Sequence, residues 1–136
     1  MNIGIVGCGN ISETYFECQK IFNNFNIIAC ADINKEAASN AASKYNVKSL
    51  SVDEILENKE IDLIINLTIP AAHKEIITKS LFNGKHCFSE KPLAMNFAEG
   101  IEIEKLANEK GLYVGCAPDT FLGAAGQKAR KLIEDN

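Results

Sequence analysis

Residues 2–12 read Asn-Ile-Gly-Ile-Val-Gly-Cys-Gly-Asn-Ile-Ser, and this stretch decides the fold. Asn2 to Val6 is a short apolar run of strand type that Gly7 ends, and the mixed pattern from Ile11 to Phe22 predicts a helix. The G-x-G-x-x-S sequence from Gly7 to Ser12 therefore falls in the turn between a strand and a helix. There Gly7 permits a tight turn and Gly9 lets backbone come close to a bound group. Ser12, in place of a third glycine, is small enough for close packing of the helix on the strand. The other reading of these residues is a plain glycine turn.

Working outward, the largely β-branched run Asn26 to Ala31 predicts a second strand, with Asp32 at its end. A helix follows over Lys35 to Tyr45, where Ala37, Ala38, Ala41 and Ala42 form a small-residue stripe able to lie close to a sheet. A short strand near Val47 to Leu50 and a brief helix from Val52 to Asn58 come next. Asp62 to Leu67 is apolar on both faces, which places it inside a parallel sheet covered on both sides. In the helix from Pro70 to Phe82, Ala72, Ile76, Ile77 and Leu81 share one face, and Gly84 stops it. Lys85 to Phe88 predicts a strand, Phe97 to Lys110 a helix with Ile103, Leu106 and Ala107 inward, and Leu112 to Cys116 a sixth strand. Strands alternating with helices six times predict an α/β fold: a doubly wound, parallel, six-stranded sheet in the order 3-2-1-4-5-6. The tail from Gly123 to Asn136 carries a further helix, with Ala129, Leu132 and Ile133 on an apolar face, beyond the completed sheet.

With 136 residues, 46% of them hydrophobic and 24% charged, the chain has the size and composition of one globular domain. Its formal charge of -4 opposes a phosphate backbone, so no nucleic-acid partner is expected, and no apolar run is long enough for a membrane span. Five cysteines without C-x-x-C spacing suggest neither a disulfide framework nor a metal site, and a reducing, cytoplasmic setting is expected.

Four groups of residues carry candidate chemistry. The glycine turn, with the free amides of Asn10, Ile11 and the opening helix, suits a pyrophosphate, because unsatisfied N–H groups and the positive end of the helix dipole point at it. Asp32 is placed to accept both hydroxyls of an adenine ribose. It would repel a 2′-phosphate, with Lys35 the only nearby cation, which favours NAD over NADP. An N-cap for the Lys35 helix is the alternative role for Asp32. Thr68, Ile69 and Pro70 occupy the loop after the fourth strand, beside the reversal in strand order, and His73 is one turn further on, either at the cofactor or as a solvated or capping residue. Cys8 has no basic neighbour in sequence to activate it and reads as a small filler. Glu90-Lys91-Pro92 follows the fifth strand, at the nicotinamide end of a dinucleotide. There Lys91 is the catalytic candidate, polarising a carbonyl or donating to a hydroxyl, with Glu90 holding it. In isolation such a triplet is a surface ion pair before a proline turn.

In this order GIVGCGNIS, Asp32, TIPAAH and GKHCFSEKPLA resemble the N-terminal domain of the Gfo/Idh/MocA family of oxidoreductases, over nearly the whole chain. The resemblance matches Gly7 and Gly9 to the family's glycine turn, Asp32 to its ribose acid and Lys91 to the lysine beside nicotinamide and substrate. It implies a Rossmann domain and NAD-dependent, or alternatively NADP-dependent, oxidation or reduction of a sugar, polyol or related hydroxyl compound. Many members follow the sixth strand with Asn or Arg and then an aromatic residue, where this chain has Ala117-Pro118-Asp119-Thr120-Phe121. The resemblance also implies a substrate domain, with an aspartate and a histidine, which is expected to lie outside these residues. Residues 1–120 are thus expected to form the cofactor domain and residues 121–136 a helix leading toward that absent C-terminal domain, so that the chain alone binds but hardly turns over. The expected partner is the small substrate, with a homo-oligomer left open. Two other readings remain: a stand-alone NAD-binding or interaction module, and an S-adenosylmethionine methyltransferase, against which Glu90-Lys91-Pro92 speaks.

Overall fold

The computed structural model describes residues 1–118 and 120–135. Asp119, in the expected segment after the sixth strand, and Asn136, at the end of the expected tail helix, lie outside the described residues. The chain runs β1 (Asn2–Val6), α1 (Ser12–Cys18), β2 (Asn26–Ala31), α2 (Lys35–Tyr45), β3 (Lys48–Leu50), α3 (Val52–Glu57) and β4 (Leu63–Asn66). It continues α4 (Pro70–Phe82), β5 (His86–Ser89), α5 (Phe97–Lys110), β6 (Val114–Cys116), a 3-10 turn (Thr120–Leu122) and α6 (Ala124–Glu134). Every strand pairs in parallel, in the order β3-β2-β1-β4-β5-β6, as the alternating pattern predicts.

Period-two alternation along the central strands divides the core between the two faces. Ile3 and Ile5 of β1 join Phe16 of α1, Cys30 of β2 and Ala42 of α2 in one apolar cluster. Val6 and Ile64 turn to the opposite face, against Ile55 and Leu56 of α3, Ile77 and Leu81 of α4, and Ile103 of α5. Ile5, Ile64 and Ile77 are fully buried, each contributing about 1.5–3 kcal/mol relative to exposure. Local chemistry fixes the helix starts. Asn34 caps α2 by accepting from the amides of Glu36 and Ala37, Ser51 and Glu54 form a reciprocal capping box on α3, and Asn96 caps α5.

The structure corrects the length of the first helix. Expected to reach Phe22, α1 stops at Cys18. Beyond it Ile21 and Phe22 are exposed, so no apolar face continues, and the chain must reverse to enter β2. The Gln19 carboxamide assists by accepting the amide of Ile27. Lys85, expected to open the fifth strand, precedes it. Its buried ammonium donates to the carbonyls of Asn58 and Ile61, the latter at 2.8 Å, closing the carboxyl end of α3. Burial, and then repulsion by Lys59, holds this lysine below its ordinary pKa. The tail helix α6 has no buried residue, with Leu132 and Ile133 exposed, and packs chiefly against the 3-10 turn. No described helix is long and apolar enough to cross a membrane.

Candidate functional site

The carboxyl ends of β1 and β4 lie side by side where the strand order reverses. Crossovers leave in opposite directions there, so no helix covers the gap. A cleft of about 500 Å³ opens at this point, lined among others by Gly7, Gly9, Asp32, Thr68, Ile69 and Ala72. A groove of about 580 Å³ lies elsewhere, along α5 and β6, and none of the sequence candidates lines it.

The glycine turn is built for close approach. Gly7 has φ +103°, and a Cβ there would stand 2.6 Å from the backbone carbonyl of Leu67, so only glycine fits between β1 and the loop after β4. Gly9 is the converse, since a Cβ there would meet nothing within 4 Å and would occupy the open space above the turn. Ser12 donates its hydroxyl to the Gly9 carbonyl at 2.7 Å and is buried, so the residue in the third glycine's place also locks the turn. Among the described residues the amides of Gly9, Asn10 and Ile11 have no acceptor, leaving three adjacent donors in the turn, of which Gly9 lines the cleft. Ile11 is the N-cap of α1 and has no side-chain acceptor to offer.

Asp32 sits at the end of β2. One carboxylate oxygen accepts the Cys8 amide at 2.7 Å and the other the Asn34 amide at 2.8 Å. Capping of α2 falls to Asn34, which excludes the N-cap reading of Asp32. A carboxylate has about four acceptor positions, so two remain for a ligand's hydroxyls. Cys8 packs against the cluster beneath α1 and α2. Its thiol donates to the Ala31 carbonyl at 3.6 Å, and the neighbouring Cys30 thiol, then burial and the nearby Asp32 carboxylate, push it above the usual range, which favours the neutral form.

The loop after β4 rests on a buried polar network. Asn66, fully buried, donates to the His73 carbonyl at 3.3 Å and the Ser89 hydroxyl at 3.2 Å, and its side-chain oxygen accepts the Thr68 hydroxyl at 2.7 Å. Ile69, half of the lip, is exposed, and Pro70 opens α4 where its missing N–H costs nothing. His73, expected one turn into α4 either at the cofactor or as a solvated or capping residue, is fully buried beneath this loop. Its ring nitrogens lie 2.6 Å from the Pro92 carbonyl and 3.0 Å from the Thr68 carbonyl, so both are engaged within the chain.

After β5, Glu90 is half-buried. It accepts the Tyr15 hydroxyl at 2.7 Å on one oxygen and the Lys91 amide at 3.1 Å on the other. The Lys91–Pro92 peptide is cis. Lys91 itself is exposed, and among the described residues its ammonium has no ion-pair partner. The candidates of the sequence thus lie along one edge of the sheet, with Gly7 and His73 buried and the others partly or fully exposed.

The family described as "Oxidoreductase family, NAD-binding Rossmann fold" (GFO_IDH_MocA) matches residues 1–117. The chain belongs to this Gfo/Idh/MocA family. It is 30% identical over 138 residues to the 2,7-anhydro-N-acetylneuraminate hydratase of Escherichia coli, a match covering 99% of this chain and 36% of that protein. It is 27% identical over 101 residues to the myo-inositol 2-dehydrogenase of Thermotoga maritima, covering 73% of this chain and 30% of the relative. Among solved structures, Synechocystis biliverdin reductase in complex with biliverdin and NADP+ superposes with a TM-score of 0.91 at 27% identity, over 98% of this chain and 42% of that one. The chain therefore spans about a third of the length of these curated relatives. Membership of a Gfo/Idh/MocA Rossmann domain displaces the methyltransferase reading.

Within this Gfo/Idh/MocA domain the sequence reading overlooked Asn66, Tyr15 and the cleft wall formed by Ile33, Val52 and Ile76. Asn66 had a signal, since it is the polar residue inside the otherwise apolar run Leu63 to Leu67. Ile69, Ala72 and Ile76 also recur at three- and four-residue spacing and line the cleft, Ile76 belonging to the buried core as well.

Proposed function

We propose that this chain binds NAD(H) in the cleft between β1, β2 and β4 and forms the cofactor-holding part of an oxidoreductase acting on a sugar, polyol or related hydroxyl compound. The observation that carries this is the juxtaposition of three amides without an acceptor among the described residues, at Gly9, Asn10 and Ile11, with the Asp32 carboxylate and the open space over Gly9. The amides would hold the pyrophosphate, Asp32 the adenine ribose, and the apolar residues Ile33, Ile69 and Ile76 the adenine. The residues present fit the dinucleotide, because a Cβ at Gly9 would fill the space a pyrophosphate needs. Asp32 favours NAD over NADP by repelling a 2′-phosphate, as the sequence suggests.

When bound, the nicotinamide ring supplies hydride donor or acceptor chemistry. Thr68 and the Glu90–Pro92 segment would orient that end of the cofactor at the carboxyl edge of β4 and β5. Lys91, exposed and without an ion-pair partner among the described residues, would donate a hydrogen bond to the substrate oxygen and stabilise negative charge developing there. In this reading residues 1–120 are the cofactor domain, and α6 leads toward a substrate domain that supplies the general base. Without that base the proton step loses roughly 10²- to 10⁴-fold in rate, so the chain alone is expected to bind without appreciable turnover. The sugar or polyol class is supported by relatives named for myo-inositol and D-xylose oxidation.

Calorimetry tests the reading. NADH should bind the wild-type chain, and Asp32→Ala should weaken it about tenfold, the loss of a charged hydrogen-bond acceptor. Absence of heat with NADH and NADPH alike would refute the proposal.

A further inference from the structure

Glu90 is fixed from four directions. Its amide donates to the Asn66 carbonyl at 2.9 Å, and its carbonyl accepts the Cys116 thiol at 3.7 Å. Its two carboxylate oxygens accept the Tyr15 hydroxyl and the Lys91 amide respectively. Three of these contacts come from the sheet edge and the loop itself. The fourth comes from α1, the helix that opens directly after the glycine turn. Tyr15 is thus the side chain joining the helix behind the candidate pyrophosphate site to the segment that carries Lys91.

We propose that Tyr15 is a positioning residue for the nicotinamide end of the cofactor site, acting through Glu90 on Lys91. This rests on the cofactor reading given above and adds to it a role that none of the sequence motifs contains. The physical reason is geometric. A carboxylate held at one oxygen by a phenol fixed on a helix presents its other oxygen in one direction. The amide it accepts is that of Lys91, so the backbone from which the lysine projects is held in one orientation. Without the Tyr15 hydroxyl, Glu90 keeps its backbone bonds but its carboxylate is free to rotate into solvent, and the Lys91 amide loses a fixed acceptor. The adenosine and pyrophosphate contacts at Gly9 to Ile11 and Asp32 do not involve Glu90 and should be left as they are.

Two ligands separate the two ends of the site: NADH, and ADP-ribose, which has the adenosine diphosphate portion but no nicotinamide. Tyr15→Phe keeps the ring and removes only the hydroxyl. The proposal expects Tyr15→Phe to weaken NADH about five- to tenfold, a loss of the size of one hydrogen bond, and to leave ADP-ribose within about twofold of wild type. It also expects the emission of bound NADH to shift toward that of free NADH. Glu90→Ala should reproduce the pattern, and combining it with Tyr15→Phe should add little, because both remove one contact. Equal weakening of both ligands would mean that Tyr15 merely supports α1, and would overturn the proposal. Unchanged NADH affinity and emission in Tyr15→Phe would overturn it as well. Failure of the wild-type chain to bind either ligand would instead sink the cofactor reading, and this inference with it.

Discussion

His73 Nδ1 lies 2.6 Å from the carbonyl oxygen of Pro92 while Nε2 of the same ring lies 3.0 Å from that of Thr68. One buried side chain on α4 therefore ties the loop after β4 to the loop after β5, the two segments that bracket the carboxyl edge of the sheet. Replacing it by alanine leaves a cavity and removes the ring that joins the Pro92 and Thr68 carbonyls. His73→Ala is expected to destabilise the fold by about 2–4 kcal/mol, read as a lower midpoint in urea denaturation. A curve superimposed on wild type would contradict this structural role.

The two glycines of the turn should fail differently. Gly7→Ala places a Cβ 2.6 Å from the Leu67 backbone at a positive φ, and should cost more than about 2 kcal/mol in stability. Gly9→Ala meets no atom of the chain and should leave the thermal midpoint nearly unchanged, yet reduce NADH affinity at least about tenfold by intruding on the ligand. Denaturation and calorimetry on the two variants distinguish these outcomes. A stable Gly7→Ala, or a Gly9→Ala that binds like wild type, would count against the geometry given for the turn.

Asp32 governs the choice of cofactor through its charge. Asp32→Asn keeps an oxygen able to accept the Cys8 amide but removes the negative charge facing a 2′-phosphate. The ratio of NADPH to NADH affinity should rise about tenfold or more. Measuring both dissociation constants checks it, and an unchanged ratio would remove Asp32 from the ribose corner.

The α3 capping box gives a pH dependence. The Ser51 hydroxyl, then the Ser51 amide, hold the Glu54 carboxyl below its ordinary value of 4.5. The folded pKa is thus below the unfolded one, so the unfolded chain binds the proton more readily. The contribution is complete above pH about 4.5 and is lost as pH falls through the lowered folded value. Glu54→Gln should remove this part of the acid-side loss of stability, measured as the thermal midpoint between pH 3 and 6. Parallel curves for the two proteins would contradict it.

The legible parts of this protein were the local ones. The strand of residues 2–6, the turn glycines and the stripe of Ala37, Ala38, Ala41 and Ala42 announce themselves through period and turn chemistry, and six such units leave one economical sheet order. Asp32 was half legible, because its position fits both a ribose and a helix cap, and Asn34's occupation of the cap removes the second. His73 was opaque, since its partners come from loops five and nineteen residues away that meet only when β4 and β5 pair. Tyr15 and Glu90 are separated by 75 residues and share no local pattern. The early end of α1 depended on exposure of Ile21 and Phe22, which apolar periodicity alone does not reveal.

The central claim, that the amides of the glycine turn and the Asp32 corner hold a dinucleotide, is tested most directly by backbone amide NMR during titration with NADH. The account predicts that the resonances of Gly9, Asn10 and Ile11 move first and furthest, together with those of Ile33 and Asn34 beside Asp32. Saturable changes elsewhere, with these five amides unmoved, would contradict it.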